Sequence, residues 1–354
     1  MKKKKRVLVA PLDWGLGHAT RCVPVIRALL DAGAEVLLAA DGRPGYFLRD
    51  EFPKLEMISL PGYNITYPEN GNMLWHFALS APGILKNIRR EHGYLQKIIE
   101  EKYIDIVISD NRFGLWSEKA KCIYITHQLN IKAPAGENLV NRLHRRYMKR
   151  FSEIWVPDFP GKENLSGELG HGNHRFENIR YIGPLTRFSK DEFRENGYDH
   201  EILAVLSGPE PQRTLLEEIL LRQLPSLNKK TMLVRGVTET NETRTTGNMQ
   251  IIDHLPSPEL EAAMRKAEII ICRPGYSTLC DLAAIGKKAI CIPTPGQTEQ
   301  EYLAKYHAER NGLFTAGQAD FDYGKIVTSK NIAGSFLFPR DENTLRETVE
   351  SLLL

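Results

Sequence analysis

Residues 267–300 read AEIIICRPGYSTLCDLAAIGKKAICIPTPGQTEQ, and they contain two strand patterns joined through a glycine turn. The apolar run 269–272 stops at Arg273-Pro274-Gly275, and a helical pattern then runs from Ser277 to Gly286. A second apolar run leads into the polar turn 293–297. Backbone amides at a helix start, with an arginine beside them, are typical of a site that binds phosphate groups.

The composition of the whole chain limits the classes of protein to consider. Its 354 residues are enough for two ordinary domains. A hydrophobic fraction of 42%, a charged fraction of 26% and a net charge of +3 are normal for a soluble globular protein and give no reason to expect nucleic-acid binding. The basic start 1–6 is followed by too short an apolar run for a signal peptide, and no segment has the length of a membrane span. The five cysteines form no CxxC pair, so we expect buried, reduced thiols in the cytoplasm and no zinc site.

Short apolar runs alternate with helical patterns along the chain, and the runs are rich in Val and Ile. Strands that are buried on both faces of a parallel sheet have this pattern. In the first half the predicted strands are 7–10, 35–40, 104–109, 122–126, 154–156 and 180–182, and the predicted helices are 19–32, 74–101 and 139–149. In the second half the predicted strands are 202–206, 231–234, 249–252, 269–272 and 289–292, and the predicted helices are 213–224, 258–266, 277–286 and 342–354. The polar stretch 237–247 is predicted to be an exposed loop.

A seam near Gly183-Pro184 separates two units of this kind. The prediction is an α/β protein with two Rossmann-like domains, residues 1–184 and 185–340, and a C-terminal helix, 341–354. Ligands of open parallel sheets bind beyond the carboxyl ends of the strands, so the two sheets are expected to face each other across a small-molecule cleft.

The first strand ends in a second glycine turn, Gly15-Leu16-Gly17-His18, which opens a helix. Its spacing is close to a dinucleotide-binding fingerprint, and Asp41 follows the second strand, so a nicotinamide-dependent dehydrogenase is one alternative. Thr20 stands where the third glycine of that fingerprint belongs. A helix start disfavours a protonated imidazole, so His18 is either a candidate general base or a structural partner of a neighbouring loop.

Taken together, the two turns resemble those of the GT-B glycosyltransferases of family 28, the group that includes the lipid-intermediate N-acetylglucosaminyltransferases of peptidoglycan synthesis. The resemblance covers nearly the whole chain and is strongest over 251–304. The glycine loop that ends in His18 and the loop His127-Gln128-Leu129-Asn130 match motifs of the family's first domain. The resemblance implies that the first domain takes the acceptor and the second takes the nucleotide-sugar donor.

The resemblance also implies a set of donor-binding residues. Arg187, in the junction motif 183–187, is expected near the donor phosphates, Asp281 on the ribose, and Gln297 on the sugar. The full set is Gly15, Gly17, Asn130, Arg187, Ser207, Gly208, His254, Leu255, Arg273, Gly275, Tyr276, Ser277, Asp281, Gln297 and Gln300. Each position also has a structural interpretation, such as a contact with the helix dipole for Asp281 or a linker position for Arg187.

The expected reaction is transfer of a sugar from a UDP-N-acetylglucosamine-like donor to an acceptor hydroxyl, with inversion. His18 takes the acceptor proton, and Asp110 is a second candidate base, an orienter of His18 or His127, or a cap of the next segment. Arg187 and Arg273 are expected to neutralise the diphosphate. No DxD-like acidic pair is evident, so neither a metal ion nor another cofactor is expected.

Other activities remain open at this point. The turn Gly17-His18-Ala19-Thr20-Arg21 also fits the first-domain signature of nucleotide-sugar hydrolases of this fold, in which His18 would activate water. An epimerase and a non-catalytic nucleotide-sugar-binding protein are further alternatives. The expected partners are the donor and a saccharide or lipid-linked acceptor, in the cytoplasm or at the inner face of the membrane, and no nucleic acid. The aromatic stretch 63–77 is interpreted as a helix with a core face, or as an acceptor or membrane contact through Trp75, Phe77 and Leu79.

Overall fold

The computed structural model of the protein describes two compact units. The described residues are 4–13, 15–62, 73–133, 136–172, 176–188, 199–329, 336, 338 and 343–354, with the side chains of 73–82 and 327–329 excepted. Unit 1 comprises the described residues of Met1–Ile65, Leu74–Thr186 and Arg340–Leu354, and unit 2 comprises those of Thr66–Met73 and Arg187–Pro339.

Unit 1 contains a parallel sheet of seven strands in the order β3-β2-β1-β4-β5-β6-β7. The strands are β1 (Arg6–Pro11), β2 (Glu35–Ala40), β3 (Glu56–Ser59), β4 (Ile106–Asp110), β5 (Lys121–Ile125), β6 (Glu153–Val156) and β7 (Ile179–Tyr181). The helices between them are α1 (Leu16–Asp31), α2 (Gly42–Glu51), α3 (Met73–Lys102), α4 (Glu137–Met148) and α5 (Glu168–His171). The strand order reverses between β1 and β4, which is the switch point of a doubly wound sheet.

The inner strands β1, β2 and β4 of unit 1 are largely apolar and buried because helices cover both faces of the sheet there, whereas the edge strands β3 and β7 are only partly buried. Val7 and Val9 of β1 pack in a core with α1 and α2, while Leu8 and Ala10 pack in a second core with α3 and α4. Successive side chains of a strand point to opposite faces, so a strand with both faces covered has no polar alternation.

Unit 2 contains a second sheet of seven strands, in the order β10-β11-β9-β8-β12-β13-β14. The strands are β8 (His200–Val205), β9 (Thr231–Val234), β10 (Thr243–Thr246), β11 (Met249–Ile252), β12 (Ala267–Cys272), β13 (Ala289–Cys291) and β14 (Phe314–Thr315). Its helices are α6 (Gln212–Gln223), α7 (Ser257–Arg265), α8 (Tyr276–Ile285), α9 (Thr298–Asn311) and α10 (Tyr323–Ser329). All neighbouring strands pair in parallel except β10 with β11, and the order reverses between β8 and β12.

The final helix, α11 (Thr344–Leu353), packs in unit 1 rather than in unit 2. Its Val349 and Leu352 lie in the core formed with α1. The chain therefore crosses back to the first unit after completing the second sheet.

The α/β class with two parallel, Rossmann-like sheets is confirmed. The expectation of a loop over 237–247 needs a correction, because Thr243–Thr246 forms strand β10. All four of its side chains are exposed at the sheet edge, so no apolar pattern marked the strand. Helix α9 was also missed, since a few buried residues in a polar sequence give it little amphipathic pattern.

All five cysteines are buried, as predicted, and none of them forms a disulfide bond. Within the described ranges, no helix combines the length and apolarity that a bilayer crossing needs. The stretch 63–72 and the side chains of Trp75, Phe77 and Leu79 lie outside the described residues, so their suggested acceptor or membrane contact stays a prediction.

Candidate active site

The predicted base lies at the switch point of unit 1. Helix α1 begins after β1, with Gly15 at its N-cap in a left-handed conformation (φ 78°) that favours glycine. Pro11 at the end of β1 is in register with Asp110 at the end of β4. The first turn of α1 therefore places His18 beside the end of β4.

His18 and Asp110 are in direct hydrogen-bond contact, with 2.6 Å between Nδ1 of the ring and Oδ1 of the carboxylate. The side chain of Asp110 is fully buried, and that of His18 is 14% exposed. A carboxylate only accepts hydrogen bonds, so we assign a proton to Nδ1, which donates to Asp110 and is only in close contact, at 2.9 Å, with Nη2 of Arg21. In the neutral form of this ring the lone pair is on Nε2. A neutral imidazole that is oriented by an acid through one nitrogen is the arrangement of a general base.

Arg21 lies one turn further along α1 and forms a bidentate ion pair with Asp110. Its Nε and Nη2 donate to Oδ2 and Oδ1 of the carboxylate. Burial opposes the charge of Asp110, but the neighbouring Arg21 and the contact with His18 outweigh it and lower the pKa of Asp110 to about 2. Asp110 is therefore an anion near neutral pH, which suits an orienting residue better than a base.

His127, in the loop after β5, is the fourth member of this buried group. Its Nδ1 lies 2.7 Å from Nη1 of Arg21. An arginine N–H only donates, so Nδ1 of His127 accepts and the ring is neutral. His18, Arg21, Asp110 and His127 form what we call the base cluster.

Two more residues of unit 1 concern the predicted site, and the donor contact predicted for one of them, Asn130, stays a prediction. Asn130, assigned to the donor by resemblance, belongs to unit 1, and its amide donates to the carbonyl of Glu168 at 3.4 Å. Arg21 was not assigned a role of its own from the sequence. Its position three residues after His18, on the same face of α1, is the signal that points to it.

The predicted donor residues of unit 2 follow four parallel strands, so they lie along one edge of its sheet. Ser207 and Gly208 follow β8, and His254 and Leu255 follow β11. Gly208 (φ 101°) lies beside the turn that follows β13, because a Cβ on this glycine would be 3.8 Å from Oγ1 of Thr294. The loops on either side of the β8–β12 switch point are therefore adjacent.

Helix α8 begins at Tyr276 with Gly275 as its N-cap, and no side chain caps this end. Uncapped amides and the helix dipole attract anions here, next to Ser277. Asp281 lies one turn further along α8 and is buried, with Oδ2 at 3.5 Å from Nε of Arg187. The structure thus pairs the residue expected on the ribose with a residue expected on the phosphates.

Arg273 forms several contacts within unit 2, and its predicted part in phosphate binding stays a prediction. Its guanidinium is completely buried, and its four hydrogen bonds go to protein acceptors. These acceptors are the carbonyl oxygens of Ile292, Pro293 and Gln212 and Oε1 of Gln318. Burial lowers the pKa of Arg273 to about 10, so the group remains charged at neutral pH. The terminal N–H groups of Arg273 therefore bind protein acceptors, and they tie the turn after β12 to α6 and to the turn after β13.

The turn after β13 is a hydrogen-bonded turn with Gly296 (φ 76°) at its third position. The side chain of Gln300 is buried and accepts a hydrogen bond from the Thr294 N–H at 2.8 Å, so it braces the turn. Within the described residues, Oε1 of Gln297 and Oγ1 of Thr294 are buried without a hydrogen-bond partner. Buried polar atoms normally have partners, so these two atoms are candidate ligand contacts.

The described part of the chain places no three His, Cys, Asp or Glu side chains where they could hold a metal ion.

Two doubly wound α/β units in one chain agree with the architecture of the GT-B fold. The crystal structure of the glycosyltransferase SnogD from Streptomyces nogalater aligns with 99% of this chain and 96% of its own, with a TM-score of 0.62. The two sequences are only 15% identical, so this likeness concerns the fold.

Sequence comparison identifies the family. The model of the glycosyltransferase family 28 C-terminal domain matches residues 207–329. The UDP-N-acetylglucosamine–N-acetylmuramyl-(pentapeptide) pyrophosphoryl-undecaprenol N-acetylglucosamine transferase of Haemophilus influenzae is 32% identical over 274 residues, which cover 73% of this chain and 69% of that protein. An uncharacterized glycosyltransferase of Methanosarcina acetivorans is 23% identical over 327 residues, 84% of this chain and 79% of its own. The chain belongs to glycosyltransferase family 28.

Proposed function

We propose that this glycosyltransferase moves a sugar from a nucleoside diphosphate sugar to an acceptor hydroxyl, with inversion at the anomeric carbon and without a metal ion. The observation that carries the proposal is the 2.6 Å contact between Nδ1 of His18 and Asp110. It leaves Nε2 of the ring as a proton acceptor, and a single-displacement transfer needs one such base.

In the proposed step, Nε2 of His18 takes the hydroxyl proton while the acceptor oxygen attacks the anomeric carbon. The bond from that carbon to the diphosphate oxygen breaks, and the diphosphate leaves with the bonding electron pair. One in-line displacement inverts the configuration. Asp110 stabilises the imidazolium that forms, because its carboxylate lies against the protonated nitrogen on the opposite side of the ring.

The departing diphosphate is assigned to unit 2. The start of α8, which no side chain caps, brings the backbone of Gly275, Tyr276 and Ser277 to the positive end of the helix dipole. Arg187 supplies a cation one turn further along the same helix, through its contact with Asp281. Arg273 adds its charge from behind the turn rather than a direct contact, since its terminal N–H groups are engaged. These groups take the part that a metal ion plays in other transferases.

The proposed donor is a UDP-N-acetylhexosamine. Support comes from the Haemophilus influenzae relative, whose name specifies UDP-N-acetylglucosamine as the donor. Asp281 is assigned to the ribose and Gln297 to the sugar, where its buried Oε1 has no partner in the described chain. The proposed acceptor is a saccharide or lipid-linked hydroxyl, because the same relative acts on a pyrophosphoryl-undecaprenol compound. We place the reaction in the cytoplasm or at the inner face of the membrane.

A calorimetric screen tests the donor, using UDP, GDP and TDP and their sugars. We expect the tightest binding for a UDP-N-acetylhexosamine, and product analysis by NMR should show an anomeric configuration opposite to that of the donor. Chelation with EDTA should leave the rate unchanged. A product with retained configuration, or a rate that EDTA abolishes and Mg²⁺ restores, would contradict the mechanism.

Hydrolysis of the donor is the second candidate reaction. The turn 17–21 also fits the signature of nucleotide-sugar hydrolases, and the arginine of that signature, Arg21, lies next to His18 and Asp110. In that reaction Nε2 of His18 takes a proton from water instead of from an acceptor. Release of free sugar at the full turnover rate, in the absence of any acceptor, would identify the hydrolase. A rate that rises strongly with a saccharide or lipid-linked acceptor would identify the transferase.

A further inference from the structure

The guanidinium of Arg21 contacts all three other members of the base cluster. Nε and Nη2 face the two oxygens of Asp110. Nη2 also lies 2.9 Å from Nδ1 of His18, and Nη1 lies 2.7 Å from Nδ1 of His127. The side chain is 2% exposed, so these contacts are formed away from bulk solvent and are weakly screened.

This placement changes what Asp110 does for His18. A carboxylate alone beside an imidazole favours the protonated ring, because opposite charges attract. Here the same carboxylate is already neutralised by a guanidinium that stands within hydrogen-bond distance of the ring. A second proton on His18 would put two cations side by side against a single anion.

We propose that Arg21 is a positioning residue that shares the Asp110 carboxylate with His18 and keeps the His18 ring neutral, with Nε2 unprotonated, before the reaction. Nδ1 of His127 accepts a hydrogen bond from Nη1 of Arg21 and so helps to hold the guanidinium in place against Asp110. The inference rests on the proposed role of His18 as the base. Its test needs no substrate, so the two can fail separately.

The titratable groups near His18 and Asp110 come from several elements of unit 1. On α1 they are Arg21 and Cys22, whose Sγ lies 3.8 Å from Oδ2 of Asp110. On β4 the group is Asp110 itself. Burial, and then the charge of Asp110, raise the pKa of the Cys22 thiol well above its ordinary value, so it stays neutral.

Three further groups lie on β5, in the loop after it and in the turn before α1. Burial, and then the charge of Asp110, raise the pKa of the Tyr124 phenol well above its ordinary value, so it also stays neutral. His127 follows β5, and Asp13 precedes α1 with its carboxylate against Gly62. Arg21 carries a fixed positive charge and Asp110 a negative one, so the base cluster holds one ion pair beside two imidazole rings.

An NMR titration of histidine-labelled protein measures the protonation midpoint of His18, whose signal is the one absent from H18A. In R21M we expect the midpoint to rise by about one pH unit or more, because the carboxylate then acts on the ring alone. In R21K, which keeps a cation, the midpoint should lie between those of R21M and the wild type. R27M is the matched control: it removes an arginine from the same helix, where Arg27 pairs with Glu51 at 3.3 Å, and should leave the midpoint unchanged.

An R21M midpoint that is unchanged or lower overturns the proposal, as does an R21K midpoint at or above that of R21M. If circular dichroism shows that R21M does not fold, D110N decides. With the carboxylate neutral and Arg21 in place, the His18 midpoint should fall below the wild-type value, and a rise would overturn the proposal. A different result would show that the base assignment is wrong, namely an H18A enzyme that transfers sugar at the normal rate.

Discussion

The two switch points of this enzyme present charge in different ways. In unit 1 four ionisable side chains meet in the buried base cluster. In unit 2 the terminal nitrogens of Arg273 are hydrogen-bonded to protein acceptors, and the start of α8, which no side chain caps, is the proposed anion site. Proton transfer needs a side chain with a tuned lone pair, whereas an anion is held well by backbone amides. We therefore expect unit 1 to be sensitive to the charge of single side chains and unit 2 to the shape of its backbone turn.

The largest expected effect is on catalysis in unit 1. H18A should lower kcat by about 10²–10⁴-fold, the usual contribution of a general base, and leave donor affinity unchanged. Steady-state kinetics and calorimetry measure the two quantities. H92A is the matched control, because His92 stacks on Trp116 outside the base cluster. Near-normal transfer by H18A with intact donor binding would remove His18 from the mechanism.

The next effect concerns stability in unit 2. R273M should lower the free energy of unfolding by about 3 kcal/mol, because it leaves buried carbonyl oxygens without their donor. Urea denaturation measures this loss. Because Arg273 is not proposed to contact the donor directly, donor affinity should change less than stability does. The opposite result, normal stability with lost donor binding, would mean that the guanidinium contacts the donor directly.

The third effect is on the pH dependence of stability, which should depend on the charge of Asp110. Its pKa is about 2 in the folded protein, against an ordinary value of 3.8, so the folded state favours the anion. A lowered pKa stabilises the fold above pH 3.8, and this contribution, about 2 kcal/mol, is lost as the pH falls towards 2. Unfolding free energies measured from pH 5 to pH 2 should therefore fall less steeply in D110N than in the wild type. Equal slopes would show that Asp110 does not carry this charge effect.

The smallest expected effect is on donor affinity, and it comes from a substitution at the start of α8. G275A has room for its Cβ, since Gly275 has φ −70° and the nearest atom lies 3.9 Å away, so stability should hold. A phosphate against this amide would meet the added methyl group, and donor affinity should fall about 10-fold, or about 1.4 kcal/mol. G286A is the matched substitution at the other end of the helix, where φ is 69°; it should cost about 1 kcal/mol of stability and leave donor affinity unchanged. Equal donor affinities in G275A and the wild type would place the diphosphate elsewhere.

Much of the fold could be predicted from local patterns. Strands β9 and β11 begin and end at the predicted residues, because a Val- and Ile-rich run that is buried on both faces is a local signal. Strand β10 could not be predicted, since an exposed edge strand of Thr and Arg has no apolar pattern. The return of α11 to unit 1 could not be predicted either, because an amphipathic helix does not specify which core it covers.

The candidate site divides along the same line. The residue types, the two glycine turns and the order of the motifs were readable in the sequence, and they sufficed for the family because each motif lies within one short segment. That His18 and Arg21 share Asp110 required the pairing of β1 with β4, which joins residues far apart in the chain. That Arg273 is enclosed by carbonyl oxygens required the packing of α6 and β13 around it. A sequence position defines which hydrogen bonds a side chain can form, and only the packed structure decides which of them are already taken.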